Sequence, residues 1–310
     1  MELILNRDCP IFDTINRRHL HRLLDVVVRG WHTIAHPPPE QLQDLVGEDA
    51  WSVYGDLILA SYKTAASGRR LNGPRACTSC DAEALANFLC LPTLILLENP
   101  RSDGEFLHMV ARVLLPRIVR NLRGANASVE IHHGGGITEI AREIPRLSQR
   151  YSRWRPEGLP ARFVVFTDSD AKSPGRPDGN AVKVAAVARD AGVACHTLEQ
   201  RSIENYIPDT ALAEYASVRR DRTESVAVIT GLDVPARNHY PMKAGLPAQV
   251  DESREDETLY PAGTPREFGL GDFVDDFLEV SGRNVTRSDL RSRDVSGDLD
   301  RLLDLVEENI

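Results

Sequence analysis

Between residues 93 and 198, short apolar runs alternate with longer segments whose apolar side chains have helical spacing. The runs have the length and content of buried strands; they are Thr93–Leu97, Ser128–Ile131, Phe163–Thr167 and Val193–Leu198. The segments between them are predicted helices; they are Ser102–Leu115, Ile137–Leu147 and Asn180–Ala191. This order predicts an α/β fold with a mostly parallel four-stranded sheet and right-handed crossovers.

The regions on either side of this alternation are predicted to be mainly helical. In the first 92 residues, apolar side chains recur at helical spacing; they are Leu20, Leu23, Leu24, Val27 and Val28. After Pro208 the pattern is again helical, with short helices at Phe273–Val280 and Leu299–Val306 around a loop-rich stretch, residues 232–271. We therefore divide the chain into a helical N-terminal region (1–92), a central domain (93–210) and an acidic, mainly helical C-terminal region (211–310).

The net charge of -9 is unevenly distributed along the chain. Residues 251–310 hold 17 acidic and 7 basic side chains, whereas residues 101–155 hold 10 arginines and 5 acidic side chains. The arginines of residues 101–155 either lie on solvated helix faces or contact phosphate groups. We also expect the acidic tail to mask this basic segment until it is released.

The five cysteines do not have the even count or spacing of a disulfide framework, which favours a reducing compartment. Cys77 and Cys80 form a lone CxxC without the second pair that a structural zinc site needs. We favour ordinary cysteines there over a metal or redox role. The N-terminus does not resemble a signal peptide, and no apolar run approaches the ~20 residues that span a bilayer. We therefore expect a cytoplasmic protein.

Acidic side chains follow three of the four predicted strands. Glu98 follows the first, Asp168 and Asp170 follow the third, and Glu204 lies just past the fourth; Asp103 opens the first helix. The carboxyl ends of parallel strands meet at one edge of a sheet, so these groups can converge. Converging carboxylates repel one another, and a divalent cation removes that cost. Each of these residues, taken alone, is best interpreted as a helix cap or a turn residue. Together they indicate a Mg²⁺ or Mn²⁺ site.

The order of these motifs resembles that of TOPRIM domains over residues 93–210. Leu96–Leu107, with Glu98 and Asp103, resembles the opening strand, glutamate and helix of that family, and Phe166–Asp170 resembles its DxD motif. The glycines Gly134 to Gly136 fall where the family has its glycine turn. The resemblance implies a TOPRIM-like sheet flanked by helices.

Two later segments resemble those of OLD-type and stand-alone TOPRIM nucleases. Arg201–Pro208 resembles the segment with a further metal-binding glutamate, here Glu204, and His239–Gly245 resembles the segment with a lysine near the scissile phosphate, here Lys243. The first loop departs from the family, because it reads Glu-Asn-Pro-Arg-Ser-Asp with an extra residue and without the usual glycine. The sequence also contains no GxxxxGK[ST] motif of the ATPase that often accompanies this domain.

The resemblance implies metal-dependent hydrolysis of phosphodiester bonds. It assigns Glu98, Asp103, Asp168, Asp170 and Glu204 to two Mg²⁺ or Mn²⁺ ions, with Glu98 and Lys243 as catalytic residues. Lys243 would stabilise charge on the phosphate in the transition state. For His132 and His133 we favour packing or capping over catalysis, and the glycine turn either approaches a phosphate or is a plain turn. Asp178 and Asn180 are weaker candidates for the substrate entrance.

Two other functions stay open at this point. A nucleotide-sugar transferase would use the DxD pair to hold Mn²⁺ and a diphosphate, and an inactive TOPRIM scaffold would only bind nucleic acid or a partner protein. The sequence does not distinguish DNA from RNA or tRNA as the substrate. The resemblance further suggests a toxin-like endonuclease of bacterial anti-phage defence, controlled by an ATPase or inhibitory partner. The N-terminal region would dock that partner or form a homodimer.

Overall fold

A computed structural model describes residues 2–5, 9–66, 75–77, 81–124, 127–156, 159, 161–249, 258–260 and 263–310. The fold is α/β, with two separate parallel sheets and a helical C-terminal region. In the described ranges, no helix combines the length and the hydropathy needed to cross a membrane.

The N-terminal region contains a small parallel sheet as well as helices. Its strands lie in the order β2-β1-β3; they are β1 (Glu2–Leu5), β2 (Thr33–His36) and β3 (Arg75–Cys77). Its helices are α1 (Arg17–Val28), α2 (Pro39–Val46), α3 (Glu48–Ala66) and α4 (Ala82–Leu89). The prediction of a helical N-terminal region was therefore incomplete, because strands of three or four residues are too short to show an alternating pattern.

The central sheet has four strands, all parallel, in the order β5-β4-β6-β7. They are β4 (Thr93–Leu97), β5 (Val129–His133), β6 (Phe163–Thr167) and β7 (Ala194–Thr197). The helices that follow them are α5 (Ser102–Leu114), α6 (Val119–Leu122), α7 (Ile137–Ser152) and α8 (Gly179–Asp190). Every residue of β4 and β6 is buried, as the continuous apolar runs predict for inner strands. The predicted parallel sheet is confirmed.

The C-terminal region is helical, and it completes the core of the central domain. Its helices are α9 (Asp209–Val218), α10 (Thr223–Thr230), α11 (Val234–His239), α12 (Val274–Val280), α13 (Arg287–Arg293) and α14 (Asp298–Asn309). Helix α14 packs against α5, β6 and β7. Its apolar face, which includes Leu302 and Val306, shares one hydrophobic cluster with Leu97 and Phe106 of the central domain. The core therefore continues across the boundary that we drew at residue 210.

The cysteines with described side chains, Cys9, Cys90 and Cys195, are free thiols. Burial raises the pKa of each of them, which makes them poor nucleophiles. The side chain of Cys77 and all of Cys80 lie outside the described residues.

Candidate metal centre

Five carboxylates come together at the carboxyl-terminal edge of the central sheet. Glu98 follows β4, Asp168 and Asp170 follow β6, Glu204 lies in a 3-10 turn after β7, and Asp103 is in the first turn of α5. Burial raises the pKa of Asp168 well above its ordinary value, and each of the other four carboxylates raises it further. The four other carboxylates therefore lie near enough to act electrostatically on Asp168, as their positions at parallel strand ends predict.

Glu98 occupies a half-buried position at the end of β4. Burial, followed by the charges of Asp103 and Asp170, raises its pKa to about 7, against the opposing effects of Lys243 and of the Ile137 N–H. Its Oε1 is buried and accepts no hydrogen bond from any described residue. A buried carboxylate oxygen without a partner is costly unless a proton or a cation compensates it.

The Asp168-Ser-Asp170 loop is tied to the loop that follows β7. Ser169, whose side chain is buried, donates from Oγ to the carbonyl of Gln200 at 2.7 Å. The N–H of Asp170 donates to the carbonyl of Arg201 at 2.9 Å, and the N–H of Ile203 donates to Asp168 Oδ1 at 3.1 Å. Asp170 has a φ of 48°, in the left-handed region that non-glycine residues rarely adopt. Strain of this kind is characteristic of functional loops.

Helix α5 has its predicted start, but Asp103 lies in its first turn and is not the N-cap residue. Helix α5 starts at Ser102, with Arg101 at the N-cap position and no capping bond from the Arg101 side chain. Asp103 reaches back from the first turn, where its Oδ2 accepts the N–H of Asn99 at 2.9 Å. Burial raises the pKa of Asp103.

Glu204 and Lys243 form an ion pair across the site. Glu204 is only 1% exposed, and its Oε1 lies 3.1 Å from Nζ of Lys243, whose side chain is 54% exposed. Neither carboxylate oxygen accepts a hydrogen bond of normal geometry from a described residue. Burial, the largest single effect, lowers the pKa of Lys243, but the charge and hydrogen bond of Glu204 and the charges of Asp168 and Asp272 together outweigh burial and raise it. The lysine therefore supplies part of the positive charge that the buried carboxylate needs.

A buried polar network positions Glu204. The next residue, Asn205, is fully buried, and its amide Nδ2 donates to the carbonyls of Arg237 and Tyr240 at 2.9 and 3.0 Å. The carbonyl of Asn205 accepts from Arg293 at 3.2 Å, and its side chain forms a capping box with Ser202. Because the bonds of Asn205 to Arg237, Tyr240 and Arg293 are buried, the turn that carries Glu204 is held firmly in place.

The loop that carries Lys243 is held by close contact between two glycines. Gly245 has a φ of +74°, and a Cβ at Gly269 would lie 2.2 Å from the carbonyl oxygen of Lys243. The same carbonyl accepts the N–H of Gly271 at 2.9 Å. Only glycine allows these two backbone segments to approach so closely.

The glycine turn at Gly134 has a packing role. The N–H of Gly134 donates to the carbonyl of Leu97 at 2.7 Å, and a Cβ there would lie 2.3 Å from the side chain of Ile140. Of the two possibilities that the sequence left open, the geometry supports a plain strand-to-helix turn. It also brings the N-terminus of α7 against Glu98, because the N–H of Ile137 acts on that carboxylate.

Three of the weaker candidates have structural roles. His133 Nδ1 accepts the N–H of Gly135 at 3.4 Å, and His132 Nε2 lies 3.9 Å from Glu143. Both observations agree with packing or capping. Asp178 is the N-cap of α8, where its side chain accepts the N–H of Asn180 at 2.8 Å, so it does not need a role at a substrate entrance.

The donor set suits a hard divalent cation, although the side chains do not enclose one. Within the described ranges, no three His, Cys, Asp or Glu side chains are grouped so that they could hold a metal ion. Hydrogen bonds to Asp103 and Asp168, and the ion pair of Lys243 with Glu204, explain this arrangement. The buried oxygens of Glu98 and Glu204 that accept no hydrogen bond from a described residue are nevertheless the hard ligands that Mg²⁺ and Mn²⁺ prefer.

Comparison of the chain with protein-family models, with curated proteins and with solved structures found no match. The likeness to TOPRIM nucleases therefore rests on the ordered motifs and on the position of their side chains.

The sequence analysis overlooked two polar residues beside the site, Asn238 and His239. Asn238 is half-buried and His239 is buried, and both line a cavity behind the Asp168–Asp170 loop. Nothing in their sequence spacing predicts this, because they reach the loop only through the packing of α11 against the turn after β7.

Proposed function

We propose that this chain is a Mg²⁺- or Mn²⁺-dependent endonuclease that hydrolyses phosphodiester bonds in nucleic acid. The observation that carries the proposal is the convergence of five carboxylates and one lysine at the carboxyl edge of a parallel sheet. Burial and the charges of the four other carboxylates raise the pKa of Asp168 well above its ordinary value, so the metal-free cluster disfavours a further negative charge. Bound divalent cations would compensate that charge.

The five carboxylates would hold the metal ions, which supply charge for the phosphate and lower the pKa of an attacking water. Glu98, whose Oε1 is buried without a partner among the described residues, is the carboxylate that we expect to take a proton from that water. Lys243 is half-exposed, so its ammonium group can leave Glu204 and meet a non-bridging phosphate oxygen. There it would stabilise the charge that develops in the transition state.

The test is cleavage of plasmid DNA, single-stranded DNA and total RNA by the purified chain with Mg²⁺, Mn²⁺ or EDTA. We expect cleavage with metal and none with EDTA. Asp168→Asn should reduce the rate at least ~100-fold, because it removes the carboxylate at the centre of the cluster. The control is Asp190→Asn at the exposed end of α8, which should cleave like the wild type.

Cleavage that persists in EDTA or in Asp168→Asn would contradict the proposal. If none of the substrates is cleaved but a labelled nucleotide sugar is consumed, the transferase is the correct function. A role as a toxin-like effector of anti-phage defence under the control of a partner rests on the family resemblance, and it remains a prediction.

A further inference from the structure

The cavity directly behind the Asp168–Asp170 loop has no role in the proposed function. Its volume is about 650 Å³. One wall is the loop itself, through Ser169 and Ala171, and another is the turn after β7, through Gln200. The cavity therefore shares its wall with the candidate metal centre, since Asp168 and Asp170 alternate along the chain with Ser169 and Ala171.

Much of the remaining wall of the cavity is apolar, although the charged residues Arg176 and Glu199 also line it. Two large apolar side chains at its rim are exposed. The walls include Pro174, Pro177 and Pro235. Val234 is 59% exposed and Val295 is 84% exposed. An exposed apolar rim around a pocket costs solvation free energy in the free protein and is characteristic of binding sites. Proline and valine side chains offer flat apolar surfaces on which a planar ring can lie.

Two polar side chains inside the cavity have defined hydrogen-bonding roles. His239, which is 4% exposed, contacts the carbonyl of Ala171 through Nδ1 at 3.1 Å. A carbonyl only accepts, so Nδ1 carries the proton and Nε2 is an acceptor. Arg293 donates to Asn238 Oδ1 at 2.7 Å. Since arginine only donates, the contacted atom is the amide oxygen, and Nδ2 of Asn238 remains a donor.

Neither Nε2 of His239 nor Nδ2 of Asn238 has a partner among the described residues. Burial lowers the pKa of His239, which keeps its ring neutral. The cavity thus presents an acceptor and a donor near apolar surfaces, together with the buried Oε1 of Gln200, which has no partner among the described residues. A ligand that fits is a flat ring whose edge carries both donors and an acceptor, as the hydrogen-bonding edge of a nucleobase does.

We propose that this cavity binds one unpaired nucleobase of the substrate, next to the phosphodiester bond that lies at the carboxylates. This inference rests on the proposed nuclease function, and it names the substrate class as single-stranded nucleic acid or nucleic acid with an unpaired base. A base inside a duplex has to leave the stack before it can enter such a cavity. Its binding would also bear on the metal centre, because His239 holds the same loop that carries Asp168 and Asp170.

The test measures binding, so that it does not depend on cleavage. A short fluorescent single strand is titrated with the full chain in Ca²⁺, and the same strand is titrated with one abasic site moved along it. The wild type should bind the strand roughly tenfold more weakly when the abasic site occupies one particular position, because the stacked base is lost. Abasic sites at distant positions should change the affinity little.

Three variants locate the effect in the cavity. Val234→Asp and Val295→Asp charge the exposed rim and leave the core untouched, and each should abolish the penalty of the abasic site. His239→Asn keeps a donor for the Ala171 carbonyl but removes the Nε2 acceptor, so it should reduce the preference for one base over another. Val218→Asp, on α9 and 60% exposed, is the matched control and should bind like the wild type.

Equal affinity of the wild type for intact and abasic strands would overturn the proposal, as would the same penalty in Val234→Asp and Val295→Asp. If the chain shows a position-dependent penalty but cleaves no nucleic acid, base binding in the cavity is supported and the nuclease function is refuted. If it shows metal-dependent cleavage without such a penalty, the nuclease function is supported and base binding in the cavity is refuted.

Discussion

The pairing of Lys243 with Glu204 is the residue-scale feature that most affects the chemistry. A buried glutamate next to four other carboxylates is unfavourable, and Lys243 partly compensates it at 3.1 Å. In the proposed reaction a metal ion takes over that compensation, which frees the lysine for the phosphate. The ammonium group of Lys243 and the metal ion therefore compete for Glu204 before the substrate binds.

Substitution Lys243→Met tests this competition. We expect a turnover rate that is lower by about 10²–10³, because a donor to the developing charge is lost. We expect Mn²⁺ to bind at least as tightly as in the wild type, because the competing ammonium group is gone. Single-turnover cleavage and Mn²⁺ titration measure the two effects separately. Lys183→Met, on the exposed surface of α8, is the control, and equal rates for both variants would contradict a catalytic role of Lys243.

The carboxylates also make the stability of the metal-free protein depend on pH. Glu98 has a pKa of about 7 in the folded chain against an ordinary value of 4.5, so the folded state binds more protons than the unfolded state between these values. Stability should therefore fall as the pH rises from about 4.5 to about 7, by up to about 3 kcal/mol from this group. The raised pKa values of Asp103, Asp168 and Asp170 add to the fall.

Urea unfolding in EDTA at pH 5 and pH 8 measures this effect. Glu98→Gln should show a smaller difference between the two pH values than the wild type. Added Mg²⁺ or Mn²⁺ should stabilise the wild type more at pH 8 than at pH 5, because protons and metal compete for the same oxygens. If the wild type in EDTA is more stable at pH 8 than at pH 5, the raised pKa values of these carboxylates are contradicted.

At the scale of elements, the site depends on how two loops are clamped. The carbonyl of Lys243 contacts the segment around Gly269, where a Cβ would lie only 2.2 Å away. Gly269→Ala should therefore displace the Lys243 loop and cost about 1–3 kcal/mol of stability. It should lower cleavage as much as Lys243→Met does. Gly179→Ala is the control because nothing lies within 4 Å of its Cβ, and a fully active Gly269→Ala would show that the clamp does not position Lys243.

The central sheet could be predicted from the sequence because its strands are continuous apolar runs. Phe163–Thr167 and Thr93–Leu97 have the predicted bounds, and the alternation with helices fixes a parallel sheet. The same reasoning places the carboxylates, since strand ends share an edge. It cannot predict side-chain direction, which is why the contact of Asp103 with the N–H of Asn99 and the pairing of Glu204 with Lys243 were not expected.

Other features could not be predicted because they depend on contacts between distant parts of the chain. The strands β1, β2 and β3 are too short to show a period of two. Helix α13 was also missed, although Thr286 and Asp289 form a capping box at its start. His239 has no pattern that predicts its contact with Ala171, 68 residues earlier.

At the scale of the whole molecule, the acidic C-terminal region is part of the central domain. Leu299, Leu302 and Val306 are buried in the same cluster as the sheet. The segment also contacts the basic middle region directly, through Arg117 with Glu307 at 2.5 Å and Arg101 with Asp275 at 2.9 Å. The acidic residues do cover part of the basic surface, but their release would require opening the core.

Leu302→Ala tests the contribution of α14 to the core. Its side chain is fully buried, so the substitution should destabilise the chain by about 2–5 kcal/mol. Asp304→Ala, on the exposed side of the same helix, should change stability by no more than about 0.5 kcal/mol. Thermal unfolding compares the two variants. Equal stability of both would mean that the C-terminal helix can separate from the central domain, and it would revive the masking hypothesis.

The central claim is that the five carboxylates form a divalent metal site, and direct Mn²⁺ binding tests it. Electron paramagnetic resonance of free Mn²⁺ at pH 7.5 gives the number of bound ions and their affinity without any substrate. We predict that the wild type binds one or two Mn²⁺ ions per chain and that Asp168→Asn loses at least one of them, while Asp190→Asn binds like the wild type. Absence of Mn²⁺ binding by the wild type, or unchanged binding by Asp168→Asn, would contradict the account.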